Sequence, residues 1–224
     1  MNTESNLNSI KLIVSMNYQV TLSNGHILFI EAKDVIQASE LAEKKIRNSS
    51  LNSPYMPFND APFVLKVEIP DSMESETNHA LSSLKEAVGG DIRLFVFDRL
   101  KYDSLEEMDK CFSAEQIDSI ALAIYNIEAK NQGIIIGDQT GIGKGRQAAG
   151  IIRYAIVNGF NPIFLTEKPN LFSDLYRDLV DINSGGFIPF IVNNKSKDTH
   201  MRNESNEVVY SSEPGVVKQK IFNS

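Results

Sequence analysis

Apolar and polar positions alternate through residues 12–22. Leu12, Val14, Met16, Tyr18, Val20 and Leu22 share one face, and Asn17, Gln19 and Thr21 lie on the other. That two-residue period predicts a strand with one buried side. Asn24-Gly25 follows, the dipeptide suited to a type I′ hairpin turn, and a second strand is predicted over Ile27 to Ala32. Asp34 with Gln37 three residues on resembles a capping box, opening a helix with Ala38, Leu41, Ala42 and Ile46 on one face. Beyond a polar loop containing Pro54 and Pro57, a third strand is predicted around Phe63–Ile69. Residues 70–90 are polar, with a helix ending at Gly89-Gly90, and Asp91–Phe97 reads as another strand. This β-β-α-β pattern predicts a small α+β domain over residues 1–100. No residue set within it suggests catalysis, so an accessory or docking module is expected there.

Residues 101–112 read as a linker, and from Ser113 the pattern changes to alternating helix and strand. Ser113 suits a helix cap, followed by Ile117, Ile120, Ala121, Ile124 and Ile127 at helical spacing. The apolar run Gly133-Ile-Ile-Ile-Gly137 predicts a buried strand. A helix over 145–157, closed by Asn158-Gly159, a strand over Pro162–Thr166 and a helix from Asn170 through Leu171, Leu175, Leu179 and Ile182 complete the series. Short connections between such elements imply right-handed crossovers in a mainly parallel sheet. After 183 the pattern weakens: Phe187–Val192 has strand character broken by Pro189, residues 193–206 read as a polar mobile loop, and Glu207–Tyr210 as one more strand. Residues 113–224 thus read as the first part of an α/β domain whose sheet is not completed by Ser224.

Composition narrows the classes. The net charge of −7 is uneven: residues 1–112 hold 17 acidic and 11 basic side chains, residues 113–224 hold 12 and 11. Neither half has the basic excess of a nucleic-acid-binding surface. No apolar run approaches the roughly 20 residues needed to cross a bilayer, and the N-terminus lacks the pattern of a secretory signal. The single Cys111 forms no internal disulfide and fits a reducing, cytoplasmic setting. His26, His79 and His200 show no ligand spacing, so no metal site is predicted from them.

The chemistry concentrates in Asp138-Gln139-Thr140-Gly141-Ile142-Gly143-Lys144-Gly145-Arg146, between the strand 133–137 and the helix 145–157. A buried strand, a glycine-bearing turn, a lysine and a helix make a phosphate-binding loop. Glycines turn backbone N–H groups inward around phosphate oxygens, and the helix N-terminus adds partial positive charge. Lys144 then places a point charge at the β/γ-phosphates. Two positions depart from the simple motif: Asp138 stands where its first glycine is expected, and Gly145 replaces the hydroxyl residue that usually binds magnesium.

A similar first motif, with an acidic residue at its start, occurs in superfamily 2 helicases and Swi/Snf-type remodelling ATPases. Gly137 to Arg146, including the Gly-Lys-Gly-Arg ending, most resembles the strawberry notch family of helicase-like NTPases, found in animals and in large bacteriophage and mobile-element proteins. Ala149-Gly150-Ile151-Ile152, Ile163–Thr166 and Asn170–Ile182 continue the likeness, which covers roughly 113–183. The resemblance implies a RecA-like P-loop NTPase domain that binds ATP with Mg2+, Lys144 being its catalytic residue. Gly141, Ile142, Gly143, Lys144 and Gly145 would cradle the phosphates, flanked by Thr140 and Arg146. Gln116, 28 residues before Lys144, would read adenine with an amide that offers both a donor and an acceptor. Thr166 would lie where related motors touch a nucleic-acid backbone. Magnesium, without a hydroxyl at 145, would rest on phosphates, water and residues elsewhere.

No Asp-Glu-x-His or Asp-Glu-x-Asp sequence follows Lys144. Asp174, Asp178 and Asp181 have the spacing of a solvated helix face. The favoured reading is therefore the N-terminal portion of a helicase-like ATPase. It would act on DNA or RNA together with a remainder of the core beyond Ser224, in a host cytoplasm or a virion, and would hydrolyse ATP negligibly alone. An alternative is a non-catalytic binding or structural module with a vestigial loop. A kinase or other small phosphate-loop enzyme is a third, opposed by Gly145 and the upstream glutamine.

Overall fold

A polar cap and a stripe of small residues build the first element group of the computed structural model, which describes residues 16–21, 27–48, 52–138, 141–187, 189–192 and 200–212. Strands β1 (Met16–Thr21) and β2 (Ile27–Ala32) pair antiparallel, Met16 opposite Ala32 and Thr21 opposite Ile27. The predicted turn at Asn24-Gly25 and the positions before Met16 lie outside the described residues. Helix α1 (Val35–Asn48) opens as the capping pattern predicts: Gln37 N–H donates to Asp34 Oδ1 (2.8 Å), and Lys33 N–H donates to Gln37 Oε1 (2.8 Å). Ala38 and Ala42 bury against Ile30 and Ala32, with Tyr18 and Val20 packed alongside. Leu41, expected on that face, is instead about one-third exposed, at 37%.

Strands β3 (Asn52–Pro54) and β4 (Glu68–Pro70) form a second two-stranded sheet. The chain divides into two compact units, residues 1–53 with 69–72, and residues 54–68 with 73–224. This differs from the expected division at 101–112, because side chains on both sides of that stretch, and Tyr102, Met108 and Cys111 within it, share one core.

The expected third strand, Phe63–Ile69, is reduced to β4 for a local reason. The N–H groups of Leu65 and Lys66 donate to the Glu115 carboxylate (2.9 and 3.1 Å), and Lys66 has φ 58°. A residue in that left-handed region cannot continue a strand. Residues 55–67 form instead an irregular strap, tied down at Phe63, whose carbonyl accepts from Ala114 N–H (2.8 Å).

Helix α2 (Asp71–Ala87) ends at Gly89 and Gly90, both at positive φ, as the polar stretch predicts. Residues 91–97, predicted as a strand, belong to helix α3 (Ile92–Leu100). Asp91 caps it by accepting from Leu94 N–H (2.9 Å), and Ile92, Phe95, Val96 and Leu100 are buried at helical spacing. A short apolar run does not distinguish the two periods when polar residues are few, and the Asp91 cap decides it. Helix α4 (Leu105–Cys111) follows, capped by Ser104.

Helix α5 (Ala114–Tyr125) is capped by Ser113 as expected, Gln116 completing a capping box not foreseen from the sequence, and runs on into a π-turn at Asn126–Lys130. It is buried on nearly every side, with Ile117, Ile120, Ala121 and Ile124 in the core of the larger unit. Helix α6 (Lys144–Val157) packs on it at Gly150, where an added Cβ would come within 2.6 Å of Ile120 Cδ1. Helix α7 (Leu171–Asp181) packs on α6 in turn.

The parallel sheet expected over 113–224 does not form among the described residues. Gly133–Gly137 and Pro162–Thr166 enter no strand pairing, and Ile135 is 94% exposed. An apolar run becomes a buried strand only when neighbours cover it and satisfy its N–H and C=O groups. Strands β5 (His200–Arg202) and β6 (Val208–Ser211) pair antiparallel, so β6 meets the strand expected there and β5 falls in a stretch expected to be a mobile loop. No described helix is long and apolar enough to cross a membrane.

Candidate functional site

The turn into α6 is built by glycines. Gly141 has φ 99° and Gly143 φ 85°, a region that L side chains rarely adopt, and Gly143 is the helix N-cap. Among the described residues no side chain caps this end, so there the helix presents its first turn and positive dipole end without an anion hydrogen-bonded at the cap. Lys144 begins the helix, and its Nζ donates to the Asp138 carbonyl (2.6 Å), spanning the base of the loop. Thr140 lies outside the described residues.

Gln116 clamps this loop. It is 6% exposed; its Nε2 donates to the Ile142 carbonyl (2.9 Å), while its Oε1 accepts from Ser113 N–H (3.0 Å). One amide therefore joins the start of α5 to the glycine turn. A Cβ at Gly143 would stand 2.5 Å from Gln116 Nε2, a second reason for glycine there. The structure thus brings Gln116 together with Ile142 and Gly143 and engages both ends of its amide within the protein.

A second polar chain, not foreseen from the sequence, supports the loop from below. Gln147 is fully buried; its Nε2 donates to Asp138 Oδ2 (2.7 Å), and its Oε1 accepts from Ser119 Oγ (3.1 Å). Asp138, where the simple motif has glycine, thereby ties the loop to α6 and α5. The sequence signal was available: Gln147 lies three residues past Lys144, on the side of α6 that faces α5.

The departure at Gly145 also has a structural partner. A Cβ there would lie 2.0 Å from Asp178 Oδ2, so the α7 carboxylate fills the space of a side chain at 145. Arg146 forms an ion pair with Asp181, and Arg177 pairs with Asp174. The three aspartates are therefore not simply a solvated face: Asp178 meets the loop and Asp181 anchors Arg146. Partial burial pushes the Asp178 carboxyl above its ordinary range, and Asp181 adds to this while Arg146 opposes it.

Under Gln116 lie two further carboxylates. Asp118 accepts from Tyr55 Oη, Phe58 N–H and Asn59 Nδ2, each at 2.8 Å, and Glu115 holds the strap at Leu65 and Lys66. Burial raises the Asp118 carboxyl despite these donors. The Tyr55 hydroxyl is pushed far up by burial first and by Asp118 next. These residues position α5, and through it Gln116. Thr166, expected near a nucleic-acid backbone, is half-buried and exchanges its hydroxyl only with the backbone of Lys168 (3.4 Å) among the described residues.

Residues 96–219 match the family model described as P-loop containing NTP hydrolase pore-1, a span that includes α4 to α7, the glycine turn and both C-terminal strands. No curated protein and no solved structure matches the chain. The matched span is more than half of the 224 residues, and it contains the turn where two left-handed glycines and a lysine lead into the start of α6. The chain belongs to the P-loop containing NTP hydrolase pore-1 family.

Proposed function

We propose that this chain is the nucleotide-binding portion of a helicase-like ATPase of strawberry notch type, acting on DNA or RNA through a complete core that extends beyond residues 1–224. The observation that carries the nucleotide reading is the glycine turn itself: Gly141 and Gly143 at positive φ deliver the chain into the open end of α6, with Lys144 as its first residue. Such an end accepts triphosphate oxygens on backbone N–H groups, and the lysine adds a full charge at the β/γ-phosphates. Arg146 flanks this end, and Thr140 precedes it. Gln116 holds the turn in place; the second N–H and remaining lone pair of its amide are the groups left for an adenine edge. Thr166 is the residue assigned to a polynucleotide backbone.

Magnesium accompanies ATP in this reading, supplying charge neutralisation across the β- and γ-phosphates. Among the described residues no group of three or more His, Cys, Asp or Glu could hold a metal. None is required, because Mg2+ keeps waters and phosphate oxygens and takes one or two ligands from protein. The residues present fit that demand: one carboxylate, Asp178, stands where a 145 side chain would be.

A second reading, a non-catalytic binding module such as part of a large virion-packaged phage protein, is favoured by one observation. No Asp-Glu-x-His or Asp-Glu-x-Asp follows Lys144, so the acidic half of a hydrolytic site is not found in this sequence. Titration with a fluorescent ATP analogue tests the first reading. Lys144→Ala is expected to weaken binding by about tenfold to a hundredfold, the worth of one charged hydrogen bond. Equal binding by both proteins would remove the loop from the site. Sustained ATP hydrolysis by the 224-residue chain, lost in Lys144→Ala, would show that no further segment is needed.

A further inference from the structure

We propose that Asp178 is the side-chain oxygen this protein turns toward nucleotide-bound magnesium, in place of the hydroxyl missing at position 145. The inference rests on the nucleotide reading of the loop. In ordinary phosphate loops the residue after the lysine reaches the cation with a Ser or Thr hydroxyl. Here that residue is Gly145, and Asp178 Oδ2 lies 2.0 Å from where its Cβ would stand, with Cγ at 3.0 Å. A carboxylate delivered from α7 thus occupies the volume of the absent side chain, and glycine is the only residue that admits it without displacement.

Asp178 is also free to take such a role. The nearby guanidinium, Arg146, gives its ion pair to Asp181, and Asp178 accepts no hydrogen bond among the described residues. A half-buried carboxylate beside a triphosphate is repelled unless a cation lies between them. A hard divalent cation is the ligand that reconciles the two anions, and carboxylate oxygen is the donor Mg2+ prefers. Asp138, the other acidic side chain of the loop, is committed to buried Gln147.

The role predicts a crossing that a purely structural contact does not produce. In EDTA, Asp178→Asn binds the fluorescent ATP analogue as well as wild type or better, because a like charge has been removed. In Mg2+ it binds more weakly than wild type. Electron paramagnetic resonance of Mn2+ titrated into the protein–ATP mixture reports the metal directly, and its apparent affinity falls at least about tenfold in Asp178→Asn, a loss seen even for outer-shell partners of metals. The double variant Gly145→Ser/Asp178→Ala, which restores a hydroxyl and vacates its space, recovers part of the Mn2+ affinity lost in Asp178→Ala. Thermal melts confirm that each variant is folded.

An Asp178→Asn protein with wild-type Mg2+ enhancement and Mn2+ affinity overturns the proposal and leaves the nucleotide reading standing. Wild type that binds the analogue neither in EDTA nor in Mg2+ overturns both.

Discussion

Helices α5 and α7 each bring carboxylates to α6 or its surroundings, and they treat them oppositely. On α5, Glu115 and Asp118 are buried and saturated: five donors from residues 55–66 converge on them. On α7, Asp178 reaches the start of α6 with no hydrogen-bond donor among the described residues, and Asp181 is occupied by one arginine at the surface. A buried carboxylate with a full set of donors is a fastening, since removing it strands every group that points at it. A half-buried carboxylate without donors contributes little to folding, and its cost is tolerated where function uses it. The same residue type is thus architectural beneath Gln116 and chemical beside Gly145.

The comparison breaks first at Asp118. Asp118→Ala leaves the Tyr55 hydroxyl, the Phe58 N–H and an Asn59 N–H without their acceptor, and is expected to cost about 3–4 kcal/mol in denaturant unfolding. A cost near zero would mean that the strap is not fastened there. Glu115→Ala frees the N–H groups of Leu65 and Lys66 and is expected to cost about 2 kcal/mol, with faster amide exchange at those two residues.

The pH dependence of Asp118 has a definite sign. Its carboxyl is raised in the folded state, mainly by burial, so the folded protein takes up its proton at higher pH than the unfolded chain does. The stability this group contributes is therefore fully present below the ordinary aspartate pKa of about 4, and declines as pH rises through the folded value. The stability gap between wild type and Asp118→Asn should widen on acidification from neutral pH. A gap that narrows would reverse the assignment of burial as the dominant cause. Smallest of all, Asp178→Ala and Arg146→Ala are each expected to change unfolding free energy by no more than about 0.5 kcal/mol, as half-exposed charges at a helix end do. A large loss from Asp178→Ala would make it a fastening like Asp118.

Much of the larger unit was legible from local chemistry. The Ser113 cap, the glycine ends of α2 and α6, and the apolar stripes of α5 to α7 each announce themselves within a few residues, because caps and periodicity are short-range effects. The loop was legible for the same reason: φ-permissive glycines before a lysine and a helix form one contiguous signal. Other features were not. Residues 91–97 read as a strand because their apolar run masks its period until the Asp91 cap is weighed. The strap was invisible because its partners, Glu115 and Asp118, lie some fifty to sixty residues away.

Residue types alone therefore determined that this protein places a lysine-bearing glycine turn at the head of a helix, with a glutamine helix upstream. Only the tertiary structure decided what the two anomalies of that turn are for. Asp138 is held by buried Gln147, and Gly145 makes room for Asp178. The reason is range: a turn is specified by the φ preferences of its own residues, whereas the space beside a missing side chain is filled by whichever helix the core packs against it.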